Sequence, residues 1–227
     1  MCFNSNLKLV SDSEITSWIK KQTRPWPSEQ NTYRGIGWVI PEGFESYIAV
    51  QDFDPNEGLD SIFFEYSRLI LLMLEFTSQP KDCYMALWYG FGWDVEKELG
   101  IESQKYDFFE MPNRNYYVFE GPLNDAVKIG YKYWKRFNNE IPNYVWPRDK
   151  SWVMVKEIDH DVILIGGSSE LTNAIENSGC FTTQRFDMQT PYWDLTLTDW
   201  EHKEQNNSIE VFDLPPKKGK LKRFFGL

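Results

Sequence analysis

The chain has 227 residues, of which 41% are hydrophobic, 17% aromatic and 26% charged; that is ample for one folded body and rules out general disorder. Its 34 acidic and 24 basic residues give a formal net charge of −10, which argues against a nucleic-acid-coating role, since such surfaces need clustered Lys and Arg. The imbalance is uneven. Lys217, Lys218, Lys220, Lys222 and Arg223 crowd the last eleven positions, so residues 1–216 hold 19 basic against 34 acidic residues, a net −15.

Along the chain, Ser11 and Glu14 have the spacing of a capping box, and Ile15, Trp18 and Ile19 then share a helical face, which predicts a helix over 12–22 that ends before Pro25-Trp26-Pro27. Two β-rich runs, 35–40 and 44–51, flank Pro41-Glu42-Gly43 and read as a hairpin, followed by a loop over 52–58. From an Asp60 cap, a strongly apolar helix is predicted over 60–76. Residues 83–89 have a strand's length and composition, 93–114 read as a charged excursion, and 116–120 return to the sheet. Pro122 is placed to open a helix over 122–137. Strands over 152–158 and 162–165, separated by a turn at His160, precede a Ser168-capped helix over 168–177.

This order predicts an α+β fold: a single mixed or mostly antiparallel sheet with packed helices. The predicted organisation is an α+β domain over 1–187, an acidic, aromatic-containing extension over 188–216 and a basic tail over 217–227. The tail reads as a solubilising end, with contact to a partner or an anionic membrane as the alternative. The most apolar segment, Leu69 to Leu74, is far shorter than the roughly 20 residues that cross a bilayer. Met1 to Val10 has no secretory pattern, and Cys2, Cys83 and Cys180 are odd in number and widely spaced. A cytoplasmic protein with reduced thiols, no transmembrane segment and no structural zinc is expected.

Candidate chemistry concentrates at Glu157-Ile158-Asp159-His160-Asp161. Continued strand alternation would put Glu157 and Asp159 on one face as an acid–base pair, whereas the plainer reading is a solvated turn. Asp159, His160 and Asp161 are too close along an extended chain to point inward together, so no metal is expected there. Gly166-Gly167-Ser168, between strand and helix, resembles an anion-binding corner but equally an ordinary capped turn. The chain has neither G-x-G-x-x-G, nor G-x-x-x-x-G-K-S/T, nor G-x-S-x-G, and no cofactor is expected.

Several stretches resemble, in content and order, an uncharacterised bacterial family common in actinomycetes. They are Ile40 to Tyr47, Cys83 to Gly90, Tyr117 to Leu123, and the 142–168 stretch with its Trp-Pro-Arg-Asp, Glu-Ile-Asp and Gly-Gly-Ser motifs. The resemblance covers roughly residues 33–187, while 93–114 and the last forty residues depart from the pattern. It implies a single bacterial cytosolic domain and carries no activity with it.

Two functions remain. One is a non-catalytic interaction protein, an immunity protein neutralising a basic, nuclease-type toxin through an acidic, aromatic surface. Its expected partner-binding residues are Trp146, Arg148, Asp149, Glu157, Asp159, Trp193 and Trp200, with the three tryptophans at the surface. The other is an enzyme or small-ligand-binding protein with a pocket near 146–168.

Overall fold

The structure is a computed structural model; it describes residues 7–29, 31, 33–51, 59–91, 107–112, 114–129, 141–160 and 162–195. These all belong to the unit Met1–Leu197. Among the described residues nine strands form one sheet: β1 (Lys8–Val10), β2 (Ser46–Gln51), β3 (Cys83–Trp88), β4 (Phe109–Met111), β5 (Arg114–Gly121), β6 (Tyr144–Pro147), β7 (Val153–Lys156), β8 (Val162–Gly167) and β9 (Thr183–Arg185). Their order across the sheet is β1-β5-β3-β6-β7-β8-β2-β9, with β4 also on β5, and every described pairing is antiparallel. The fold is α+β and dominated by its sheet.

Most of the central strands are apolar at successive positions, so both faces of the sheet must be covered. On one face, Ile48, Val50, Met85, Leu87, Val145, Met154, Ile163 and Ile165 pack with Leu69, Ile70 and Met73 of helix α2 (Leu59–Leu74) and with Leu171 and Ile175 of helix α3 (Ser169–Asn177). On the other, Ala49, Ala86, Val118, Tyr144, Trp146, Val153, Val155 and Leu164 meet Trp18 and Ile19 of helix α1 (Ser13–Gln22). That second cover is completed by irregular chain: Ile36 to Ile40, then Phe186, Tyr192 and Leu195.

Four sequence expectations change. Residues 35–40 do not pair as a hairpin; Ile36–Trp38 is a 3-10 turn whose buried apolar side chains press on the sheet, and β2 pairs instead with β8 and β9. A short apolar run fits either a strand or a buried turn, and here tertiary packing decided. Helix α1 is capped by Asp12, whose Oδ1 accepts the Glu14 N–H at 2.9 Å, and not by Ser11. Asp60 lies inside α2, which starts at Leu59. After Pro122 the chain makes a 3-10 turn, Leu123–Lys128, where an α-helix was expected; the rest of that expectation, over 130–137, lies outside the described residues. Also outside them are the 52–58 loop, most of the 93–114 excursion, Asp161, Trp200 and the 217–227 tail.

Candidate functional site

The β7–β8 connection, described over residues 157–160, emerges from the middle of the sheet, and two neighbours fix its start. Asn143, itself buried, accepts the Trp88 N–H on Oδ1 at 2.8 Å and donates Nδ2 to the Lys156 carbonyl at 3.0 Å, tying the end of β3 to the end of β7. Lys156 Nζ then folds over the turn, donating to the carbonyls of Glu157, at 3.3 Å, and His160. These bonds satisfy carbonyls that the departing strand leaves open.

Arg114 begins β5, where the pairing of Tyr116 with Trp88 brings its guanidinium 5.3 Å from the Trp88 ring. Its Nε and Nη2 donate to Glu157 Oε1 at 3.1 and 2.8 Å, and Nη2 also reaches Asp159 Oδ2 at 2.5 Å. Burial opposes the charge of Arg114, yet the bonds and attraction of Glu157, then of Asp159, outweigh it and hold the guanidinium above its ordinary range. Glu157 is buried, at 6% exposure, while the Asp159 side chain is largely in solvent. Glu157 therefore departs from the solvated turn read in the sequence. The two carboxylates do converge, but on a shared arginine and in a turn, since β7 ends at Lys156.

Aromatic walls close around this pair. Trp26 packs on Trp38 with ring centroids 4.2 Å apart, Trp38 on Tyr192 at 4.7 Å, and Tyr192 on Trp193 at 4.6 Å. The two wall segments are stitched by an antiparallel bridge between Gly35 and Pro191, with Ile36 N donating to the Thr190 carbonyl at 3.0 Å and Tyr192 N to the Arg34 carbonyl at 3.1 Å. The Tyr33 hydroxyl also reaches the Met188 carbonyl. A Cβ at Gly35 would collide with that same carbonyl oxygen, so only glycine permits the approach. His160, buried behind the turn, presents Nε2 to the Tyr192 carbonyl at 2.8 Å; a carbonyl only accepts, so Nε2 carries the proton.

Between walls and carboxylates lies a cleft of about 320 Å³, to which Ser28 and Arg34 also contribute. Among the described residues nothing other than Arg114 bonds the carboxylates of Glu157 and Asp159, so each keeps an oxygen for a ligand. The phenols behind the site are poor proton donors: burial, and next the charge of Glu157 for Tyr116 or the neighbouring Tyr116 for Tyr144, pushes both further above their ordinary range. Cys83 is also ill suited as a nucleophile, because burial pushes its thiol up to about 12. Among the described residues no three His, Cys, Asp or Glu side chains converge closely enough to hold a metal ion. The arrangement offers ring faces on which a planar group can stack and carboxylate oxygens that can accept hydrogen bonds.

Of the residues named from sequence, Glu157, Asp159 and Trp193 meet in this cleft, and Trp193 is 67% exposed. Arg148 and Asp149 lie at the opposite end of β7, in the β6–β7 turn, where Arg148 pairs with Glu120 and stands 5.6 Å from the Tyr84 ring. Asp149 accepts from the Ser78 hydroxyl and from Ser151 N at 3.0 Å. Burial pushes its carboxyl up less than these bonds pull it down, and it ends below its ordinary range. Trp146, expected at the surface, is fully buried on β6 between Tyr84 and Trp18.

The sequence reading missed Arg114, Arg34, Trp38, Tyr192 and, above all, Trp26. Its flanking prolines were a signal, since an aromatic held in a rigid turn next to a helix end cannot sink into that helix's own face. The Gly166-Gly167-Ser168 corner is filled from within: Ser168 Oγ caps Leu171 N at 3.2 Å, and Glu45 accepts both Ser169 N at 3.2 Å and Ser169 Oγ at 2.8 Å. No family model, no curated protein and no solved structure matches the chain.

Proposed function

We propose that the protein is a non-catalytic, cytosolic interaction protein that captures a basic protein partner on its acidic, aromatic surface. An immunity protein neutralising a basic, nuclease-type toxin is the form of this reading that suits the charge. The observation that carries it is the exposed Trp193 standing in one cleft with Glu157 and Asp159. Large rigid aromatics anchor interfaces, and opposite charge accelerates encounter. The net −15 of residues 1–216 supplies the long-range part.

Capture from the lysate of the protein's own host, followed by kinetics on the purified pair, tests this. Association is expected to slow as salt rises, because the Debye length falls from about 10 Å at 0.1 M to about 3 Å at 1 M. Dissociation should change little with salt, whereas Trp193→Ala should accelerate it, at a cost of about 2 kcal/mol if the indole sits at a desolvated centre. A partner of acidic charge, or binding insensitive to salt, overturns the reading.

A second reading, a small-ligand-binding protein or enzyme, draws on one observation: the cleft is concave, and its 320 Å³ stands at the small end of the range of about 300–1,000 Å³ for ligand pockets. Recovery of a small metabolite in place of a protein would promote it.

A further inference from the structure

Among the described residues four arginines share one setting, a guanidinium beside both an aromatic ring and a carboxylate; Arg68, on α2, lies 5.5 Å from the Phe64 ring and pairs with Glu65 at 3.3 Å. Arg114 lies 5.3 Å from the Trp88 ring and bonds Glu157. Arg24 lies 4.4 Å from the Tyr33 ring and pairs with Glu42. Arg148 lies 5.6 Å from the Tyr84 ring and pairs with Glu120. The cleft repeats two of the three parts: the rings of Trp26 and Trp193, and the carboxylate oxygens of Glu157 and Asp159 that Arg114 leaves unused.

We propose that the cleft is a receptor for a single arginine side chain presented by the basic partner, seated against the indoles with its guanidinium bridging to Glu157 and Asp159 on the side away from Arg114. The proposal rests on the basic-partner reading and names the group recognised. Three arguments favour this occupant. The volume of about 320 Å³ suits one side chain better than a folded element. Glu157 and Asp159 are balanced in charge by Arg114, which binds both, and by Arg34, so what the cleft offers a ligand is acceptor oxygens on carboxylates, which suit a group rich in donors. Arginine is preferred to lysine because a planar, weakly hydrated guanidinium stacks on rings and offers a fork of donors to paired carboxylates, whereas an ammonium is a strongly hydrated point charge. Arg34 does not compete for these oxygens through Nη1, which is committed to the Asn31 and Tyr33 carbonyls at 2.9 and 3.1 Å.

The test uses the full chain with ¹⁵N-labelled tryptophan and titrates it with short capped peptides that differ at one position: arginine, lysine or citrulline. Citrulline keeps the shape of arginine and removes its charge. The expected result is movement of the Trp26 and Trp193 indole signals, with the arginine peptide binding about tenfold tighter than the citrulline one and a few-fold tighter than the lysine one. Trp193→Ala and Asp159→Asn, both at exposed positions, should each weaken arginine binding several-fold, and Glu176→Gln, on α3, should leave it unchanged. Equal affinity for the arginine and citrulline peptides, no movement of the indole signals, or binding indifferent to Trp193→Ala and Asp159→Asn overturns the proposal. The two readings fail separately. A basic protein whose association is steered by salt but whose dissociation ignores both variants removes the arginine site and leaves the basic partner. An arginine-selective cleft in a protein that captures no basic protein does the reverse.

Discussion

Replacing Trp146 with Ala removes an indole that is fully buried between Tyr84 and Trp18, and the expected cost is about 3–5 kcal/mol of folding stability. Trp146→Phe should cost far less, since it keeps most of the ring and discards an indole N–H that has no hydrogen-bond partner among the described residues. Urea denaturation of both variants checks this, and a Trp146→Ala protein as stable as the parent would return the residue to the surface. Its neighbours Pro147, Arg148 and Asp149 made it look exposed in the sequence. What local composition could not convey is that β6 lies in mid-sheet, where Tyr144 and Trp146 take the face covered by α1. Trp193 could be placed because it stands in an acidic stretch beside Pro191 and Asp194, whereas Leu195, two positions on, is fully buried. Arg114 was invisible for a different reason: it stands 43 residues before Glu157, and only strand pairing brings the two together.

Among the elements, α3 was the most legible, because Ser168, Leu171 and Ile175 declare a cap and a face over a short span. Its second cap was not legible, since Glu45 arrives from a chain segment 124 residues distant. Bonds from the Ser169 hydroxyl, then from its N–H, hold the Glu45 carboxyl below its ordinary value of 4.5, which a carboxylate at a helix N-terminus also favours. A lowered folded pKa contributes stability above the unfolded value, and that contribution is lost as pH falls through the folded one. Glu45→Gln is therefore expected to destabilise at neutral pH and to match the parent progressively as the medium is acidified below about 4.5. Ser168→Ala should cost about 1 kcal/mol at either pH, because a hydroxyl cap does not titrate. Thermal melts at pH 7 and pH 3 separate the two, and a Glu45→Gln deficit that persists in acid would disprove the carboxylate's role. The mistaken hairpin at 35–40 belongs to this scale as well: Ile36, Val39 and Ile40 carry a strand's apolarity, yet their backbone bonds go to a turn and to Thr190.

For the molecule as a whole, cover on both faces of the sheet places the greatest protection where neighbours exist on every side. Hydrogen exchange is expected to be slowest in β3, β6, β7 and β8 and fastest in β9 and β1, the short strands that end the sheet's order. Edge strands as slow as β7 would contradict that layering. The sheet itself was readable in its middle, where β3, β7 and β8 are continuous apolar runs. Its margins were not, because β1, β4 and β9 are three residues each and owe their form to the partner they lie against. The cleft is assembled from segments near 26–38, 157–159 and 192–193, and its stitching joins Tyr33 to Met188 across 155 residues. A closure across so many residues needs the segment near 192–193 to have been made first and is expected late in folding. A product cut short by premature termination before Tyr192 lacks the wall formed by Tyr192 and Trp193, so under the proposed reading it would be mute toward the ligand and unable to compete with finished copies. Under that reading, recognition would certify that the segments near 26–38, 157–159 and 192–193 have all been brought together.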